Sequence, residues 1–367
     1  MPLVDDSMDE STPWLIEKLR ERYASTDSGL IIDTEIADAH VWCITLPAFE
    51  KWFSELETIT SQTLGRRLAY AAAESEEWLW SLALPLPNPW IGKEKKRIAT
   101  INFDWATRGL GQLEMLESTS EGTTLLVANR GQTAIAAGMG NAAWERIQDA
   151  RFRFQWSDRG AGETIVQATI DPREIPSAKN AHISWTNCKG NISNDKRLFN
   201  RARHETDGVW TVEGNRVMML QADLLYRFEA LTTPYLAETP RNTDPRTEWI
   251  GLSEIEKIVL WDSMAEASRK QFLASGELVL VAEPEHWIAV ANRYLALQGL
   301  GCVTSAIGID EHGGVDLHIS AALHPAIVVG RLIGCWERAE GRPARASWST
   351  DSDGHQIRLE SRREIAE

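Results

Sequence analysis

The stretch "NAAWERIQDARFRFQWSDRGAG" occupies residues 141–162, and "IGCWERAEGRPARASWSTDSDG" occupies residues 333–354. Each carries Trp-Glu-Arg, then an arginine, then Trp-Ser, then glycine, at the same spacings. Laid ungapped, Gly122–Ile170 falls on Gly314–Arg362 with 13 identities in 49 positions. They are Gly122/Gly314, Leu125/Leu317, Ala134/Ala326, Ile135/Ile327, Gly138/Gly330, Trp144/Trp336, Glu145/Glu337, Arg146/Arg338, Arg153/Arg345, Trp156/Trp348, Ser157/Ser349, Gly162/Gly354 and Ile165/Ile357. Ordinary composition gives roughly three by chance. Upstream, "INFDWATRGLG" (101–111) lies over "ANRYLALQGLG" (291–301), sharing Asn102/Asn292, Ala106/Ala296 and Gly-Leu-Gly. Earlier still, the segment from Asp27 faintly resembles the one from Thr206.

The expected architecture is therefore a tandem duplication. Residues 1–26 form an acidic tail and short helix, 27–172 copy one, 173–205 a connector, 206–362 copy two and 363–367 a tail. Within copy one, "RFRFQWS" alternates Phe152, Phe154 and Trp156 with Arg151, Arg153 and Gln155, the period of a half-buried strand. "ETIVQAT" returns as its partner, and "PARASWS" with "HQIRLES" repeats the hairpin in copy two. A helix precedes each hairpin, over 131–149 and 323–341, with small residues four apart (Gly138 and Ala142, Gly330 and Gly334) that admit a close neighbour. Further hairpins stand at "QLEMLEST"/"TTLLVAN" and "CVTSAIGI"/"VDLHIS". Helical stretches are expected at 59–80 and 252–274, and Pro85, Pro87 and Pro89 dictate an extended loop. The fold class follows as α+β: two homologous copies, each an antiparallel sheet covered by helices.

Composition narrows the function. A chain of 367 residues with net charge −15 offers no broad basic surface for nucleic acid, and anionic membranes repel it. No stretch reaches membrane-spanning length, and the N-terminus lacks a cationic, apolar leader, so a cytoplasmic location is expected. In that tail Thr12 suits a helix N-cap and Pro13 the first helical position. Cys43, Cys188, Cys302 and Cys335 are widely spaced and read as reduced thiols. His318, His324 and Cys335 fall on separate elements, so no metal site is expected. "GMGNAA" from Gly138 lies inside a helix rather than opening one, so it is no phosphate loop. No dinucleotide or nucleotide fingerprint occurs, and no cofactor is expected.

The succession of Gly-Leu-Gly, hairpin, helix with G-x-x-x-G and a glutamate three residues on, then closing hairpin resembles the V4R (4-vinyl reductase) domain. That family is related to haem-NO-binding domains and trafficking-particle subunits. Gly299–Gly301, Gly330, Gly334 and Glu337 carry the resemblance in copy two. Copy one keeps Gly109–Gly111, Gly138 and Glu145, with Ala142 in place of the second helix glycine. The cysteines many V4R domains carry at the helix start and closing hairpin are absent here, so no thiol or metal role comes with the likeness.

The resemblance implies a pocket for a small apolar ligand or a dimer-forming scaffold. Candidate pocket residues are Trp144, Trp156, Trp336, Trp348, Glu145, Glu337, Arg153 and Arg345. The plainer reading makes the tryptophans core rings and pairs each glutamate with Arg153, Arg345 or solvent. Three functions follow: a non-enzymatic ligand-binding or sensing protein; an interaction scaffold or homodimer using the 12–23 helix and the 85–90 loop; and, by name analogy alone, a tetrapyrrole-related reductase.

Overall fold

The computed structural model describes residues 14–362 except 84, 175, 186, 188–189, 194, 196, 238 and 240–243. Thr12, Pro13 and Cys188 lie outside the described residues. The chain opens with α1 (Trp14–Arg22), β1 (Tyr23–Thr26), β2 (Ile31–Asp33), β3 (Ala39–Thr45), α2 (Leu46–Thr60), α3 (Gly65–Leu82) and α4 (Lys93–Arg108). The hairpin β4 (Gln112–Ser118) and β5 (Gly122–Ala128), helix α5 (Thr133–Gln148), and the hairpin β6 (Phe152–Asp158) and β7 (Thr164–Ile170) complete the first half. After β8 (Ile192–Ser193) come α6 (Arg197–Asn200), β9 (Ala202–Thr206), β10 (Val209–Val212), β11 (Asn215–Gln221), α7 (Ala222–Thr232) and β12 (Thr247–Trp249). The chain ends with α8 (Ile255–Ala274), α9 (His286–Tyr294), β13 (Gly301–Gly308), β14 (Val315–Ala322), α10 (Pro325–Glu340), β15 (Ala344–Asp351) and β16 (Gly354–Ser361). The fold is mixed α+β, and its strands pair antiparallel except where β12 adds parallel to β15.

A seven-stranded sheet in the order β8-β1-β2-β3-β11-β10-β9 joins the two halves. Its centre is the pairing of β3 with β11, where Cys43 stands opposite Met219. Each is the fifth residue of a seven-residue strand, so the two strands meet about a local two-fold axis. Both strands are apolar throughout their middles because helices cover one face and the α1 region the other. The remaining sheets are β4-β5-β7-β6 in the first half and β13-β14-β16-β15-β12 in the second.

Glycine sets the two closest approaches. A Cβ on Gly138 in α5 would stand 1.9 Å from the Ala69 carbonyl oxygen of α3, and one on Gly330 in α10 would stand 2.1 Å from that of Ala265 in α8. Backbone contact of this kind is open only to glycine. The Gly-Leu-Gly turns reach across the seam instead. Gly109 (φ +69°) lies against the Val217 carbonyl of β11, and Gly299 (φ +72°) against the Val41 carbonyl of β3. Gly111 donates its N–H to the Gly208 carbonyl at 3.2 Å, and Gly301 to the Gly29 carbonyl at 3.1 Å. Each half thus buries its turn in the other half's sheet.

Two expectations are corrected. The helix read over 59–80 is two, because Ser61 adopts a left-handed conformation (φ +52°) that ends α2 before α3 begins. The closing hairpins do not match residue for residue. Trp156 pairs with Val166 and Trp348 with Ile357, so Ile165 is not the counterpart of Ile357. A longer turn in the first hairpin shifts the returning strand by one residue, and a shift of one moves a side chain to the opposite face. Within 173–205, read as a connector, β8 pairs with β1, and the buried Trp185 indole donates to the Ala322 carbonyl at 3.2 Å.

Candidate functional site

The eight residues singled out from sequence do not converge on one pocket. Trp144 and Trp336 are buried at the ends of α5 and α10, and the Trp336 indole donates to the Gly313 carbonyl at 2.8 Å. Trp156 is half-buried and stacks on Phe154. Trp348 is buried among Trp249, Trp261 and His355.

The glutamates do a common structural job. Glu145 accepts the backbone N–H of Phe152 at 2.8 Å, and Glu337 that of Ala344 at 3.0 Å. Phe152 and Ala344 are the first residues of β6 and β15, so each carboxylate ties its helix end to the hairpin that follows. The arginines they bind differ from those expected. Glu145 holds Arg151 at 3.1 Å, and Glu337 holds Arg246 and Arg269 at 3.0 and 2.6 Å. Arg153 pairs with Asp171 and Arg345 with Glu360, both near the surface. Strand alternation explains this, since Arg153 and Arg345 point away from the helix. Burial pushes the Glu145 carboxyl above its ordinary range despite the Phe152 and Arg151 hydrogen bonds.

A second polar knot sits under the second half's aromatic cluster. Glu229 accepts from the Trp261 indole, from His324 Nε2 and from Lys257 Nζ, at 2.8, 2.8 and 2.9 Å. His324 caps α10 by accepting the Ala326 N–H on Nδ1, which leaves its proton on Nε2. Burial pushes Glu229 up, yet the His324 hydrogen bond and the Lys257 charge overcome it and hold the carboxyl at about 2. Every named donor here is engaged internally, so the arrangement serves as a lock between α7, α8 and α10. His318 contacts Thr304 on the neighbouring strand, away from this knot. Among the described residues, no three His, Cys, Asp or Glu side chains gather as metal ligands.

The feature best formed to receive a molecule lies elsewhere. A cleft of about 1080 Å³ opens between the central sheet and the helices of the second half. Cys43 and Val217 of the central strands, Ala48 and Lys51 of α2, Phe272 of α8 and Tyr294 of α9 line it. Its origin is an inequality between the halves. The nine-residue α1 precedes β1, buries Leu15, Ile16 and Leu19 and reaches α4 through an Arg22–Asp104 contact of 2.6 Å. The four-residue α6 precedes β9 in the same way, but here Leu198 and Arg201 line an open space together with Asn292 and Arg293 of α9.

The charges around the cleft are unbalanced. Lys51, Arg201, Arg293 and Arg331 line it, against Glu213 and Glu277. Three of the cations have carboxylate partners: Lys51 with Glu55, Arg201 with Glu213 and Arg293 with Glu277. Arg331, projecting from α10, is 4% exposed. Its Nη2 donates to Gln298 Oε1 at 3.2 Å, its Cζ lies 5.6 Å from the centre of the Phe272 ring, and its Nε has no hydrogen-bond partner among the described residues. Burial lowers the guanidinium to about 10. Sequence reading passed over this residue. The available signal was its aligned position, Met139, an apolar side chain where the second half has a charge.

A scan of family models, a search of curated proteins and a search of solved structures find no significant match to this chain.

Proposed function

We propose that the chain is a tandem duplication of a V4R-like unit, and that it binds a small, largely apolar molecule, without transforming it, in the cleft between its halves. The duplication is supported by the shared order of elements, the reciprocal Gly-Leu-Gly contacts and the like surroundings of Glu145 and Glu337. The observation that carries the binding reading is the cleft itself, whose volume of about 1080 Å³ suits a small organic ligand and whose walls set aromatic and aliphatic side chains beside polar and charged ones in similar number. Ala48 is half-buried at its wall, at the margin of the main core, so Ala48→Trp places a large ring in the space. Native mass spectrometry of the full chain purified from cells tests the reading. Retention of a small molecule by the wild type and its loss in Ala48→Trp is the expected result. A ligand-free wild type, or equal retention by both, overturns it.

A second reading, an interaction scaffold, draws on one observation. Trp90 and Ile91 follow the proline loop at 101% and 82% exposure, an unusual position for large apolar side chains. Cross-linking in cells with Trp90→Ala as control tests it, and identical cross-linked species in both forms refute it.

A further inference from the structure

We infer that the cleft is an anion-binding site in which Arg331 receives the carboxylate or phosphate group of the ligand. This deepens the binding function proposed above and rests on the same cleft, but its basis is separate.

Five arginines are buried among the described residues: Arg22, Arg108, Arg130, Arg227 and Arg331. Four have a carboxylate within 3.5 Å. Arg22 holds Asp33 and Asp104, Arg108 holds Glu76 and Asp104, Arg130 holds Asp158, and Arg227 holds Asp223. Arg331 has a glutamine carbonyl and a phenyl ring. Taking a guanidinium out of water costs several kcal/mol unless a counter-charge replaces the lost hydration. A fold that pairs its other buried arginines leaves this one facing open space.

Comparison of the halves shows what is missing. In the first half Arg108 of α4 is neutralised by Asp104 at 3.1 Å and by Glu76 of α3 at 2.9 Å. With α4 aligned on the Gly-Leu-Gly turns, Asp104 corresponds to Tyr294 and Arg108 to Gln298. With α3 aligned on the Ala69 and Ala265 contacts, Glu76 corresponds to Phe272. With α5 aligned on α10, Met139 corresponds to Arg331. At this place the second half therefore has a buried arginine on α10 rather than on the helix before the Gly-Leu-Gly turn, while both carboxylates have become aromatic rings. The half whose charges are complete is covered by α1, and the half that lacks them lies open.

Parallel guanidinium N–H donors match a carboxylate or phosphate, and here the Nε–H lacks a partner while Nη2 would exchange Gln298 for the acid group. Tyr294, Phe272 and Val217 supply apolar surface for whatever the acid group is attached to. The chemical class is a small organic acid whose head meets Arg331 and whose body occupies the cleft.

Isothermal titration of the full chain with sodium acetate and with inorganic phosphate, at ionic strength held constant with chloride, isolates the head group from any apolar body. Saturable binding of either anion by the wild type is expected, and which of the two binds more tightly separates carboxylate from phosphate recognition. Arg331→Met, which installs the side chain of the aligned position, should weaken binding on the order of tenfold or more. Phe272→Glu, which restores the carboxylate of the first half, should abolish it by pairing Arg331 internally. Binding of neither anion by the wild type, or equal binding by all three proteins, overturns the inference. Because these ions have no apolar body, the outcome is independent of Ala48→Trp: anion binding without a retained molecule keeps the anion site and removes the apolar-ligand reading, and the reverse outcome does the opposite.

Discussion

Replacing Gly299 by alanine tests whether the two halves are built into one another. Gly299 has φ +72°, and a Cβ there would stand 2.4 Å from the Val41 carbonyl oxygen of the opposite half. Two costs combine. A left-handed backbone is unfavourable for alanine by about 1–2 kcal/mol. Forcing a methyl group against a strand that cannot move without opening the sheet adds about 1–3 kcal/mol. The total expected loss is about 2–5 kcal/mol, read as a lowered urea midpoint. Gly341→Ala is the control, since its φ is +69° but no atom lies within 4 Å of its added Cβ. That variant should show only the first cost, about 1–2 kcal/mol. Gly109→Ala, with the Val217 carbonyl at 2.1 Å, should match Gly299→Ala. Should Gly299→Ala be no more destabilised than Gly341→Ala, the reciprocal docking of the Gly-Leu-Gly turns is refuted.

Arg22→Met leaves Asp33 buried without its cation and Asp104 with Arg108 alone, so a loss of about 3–5 kcal/mol is expected in chemical denaturation. A drop under 1 kcal/mol would show those carboxylates to be hydrated. Glu229 gives the pH dependence a definite sign. Its folded value of about 2 lies below the ordinary 4.5, so its contribution is complete above pH 4.5 and is lost as the pH falls toward 2. The amount is about 3 kcal/mol. Melting temperatures of the wild type should fall more steeply through that window than those of Glu229→Gln, and parallel curves would contradict the assignment.

Much of this fold could be read from local pattern. The alternation in "RFRFQWS" marked β6, and "PARASWS" with "HQIRLES" marked the hairpin of β15 and β16. The G-x-x-x-G spacing correctly announced close helix contact at Gly330. What the sequence could not convey was partnership across the seam. Gly-Leu-Gly reads locally as a turn, and only the assembled sheet shows that Gly109 needs Val217. The one-residue shift at Ile165 escaped notice because an ungapped comparison cannot register a change in turn length. Pairing of Glu337 with Arg246 and Arg269 was not legible because both arginines lie far away in sequence and their approach depends on tertiary packing. The cleft was hidden for a further reason. It arises from the short length of α6 relative to α1, an absence of chain rather than a motif. Arg331 carried a trace of it, as the charged member of a pair whose other member is methionine.

The strand pair at the centre of the molecule also bears on how the chain must assemble. Severed from its mate, either half would present a bare edge, Val41–Thr45 or Val217–Gln221, with a row of amides and carbonyls seeking company. Such an edge accepts the same strand from any neighbouring chain as readily as from its own. Covalent tethering places the correct edge nearby while the protein is being synthesised, and so keeps out intermolecular exchange. Fragments made separately should accumulate as swapped oligomers rather than as monomers.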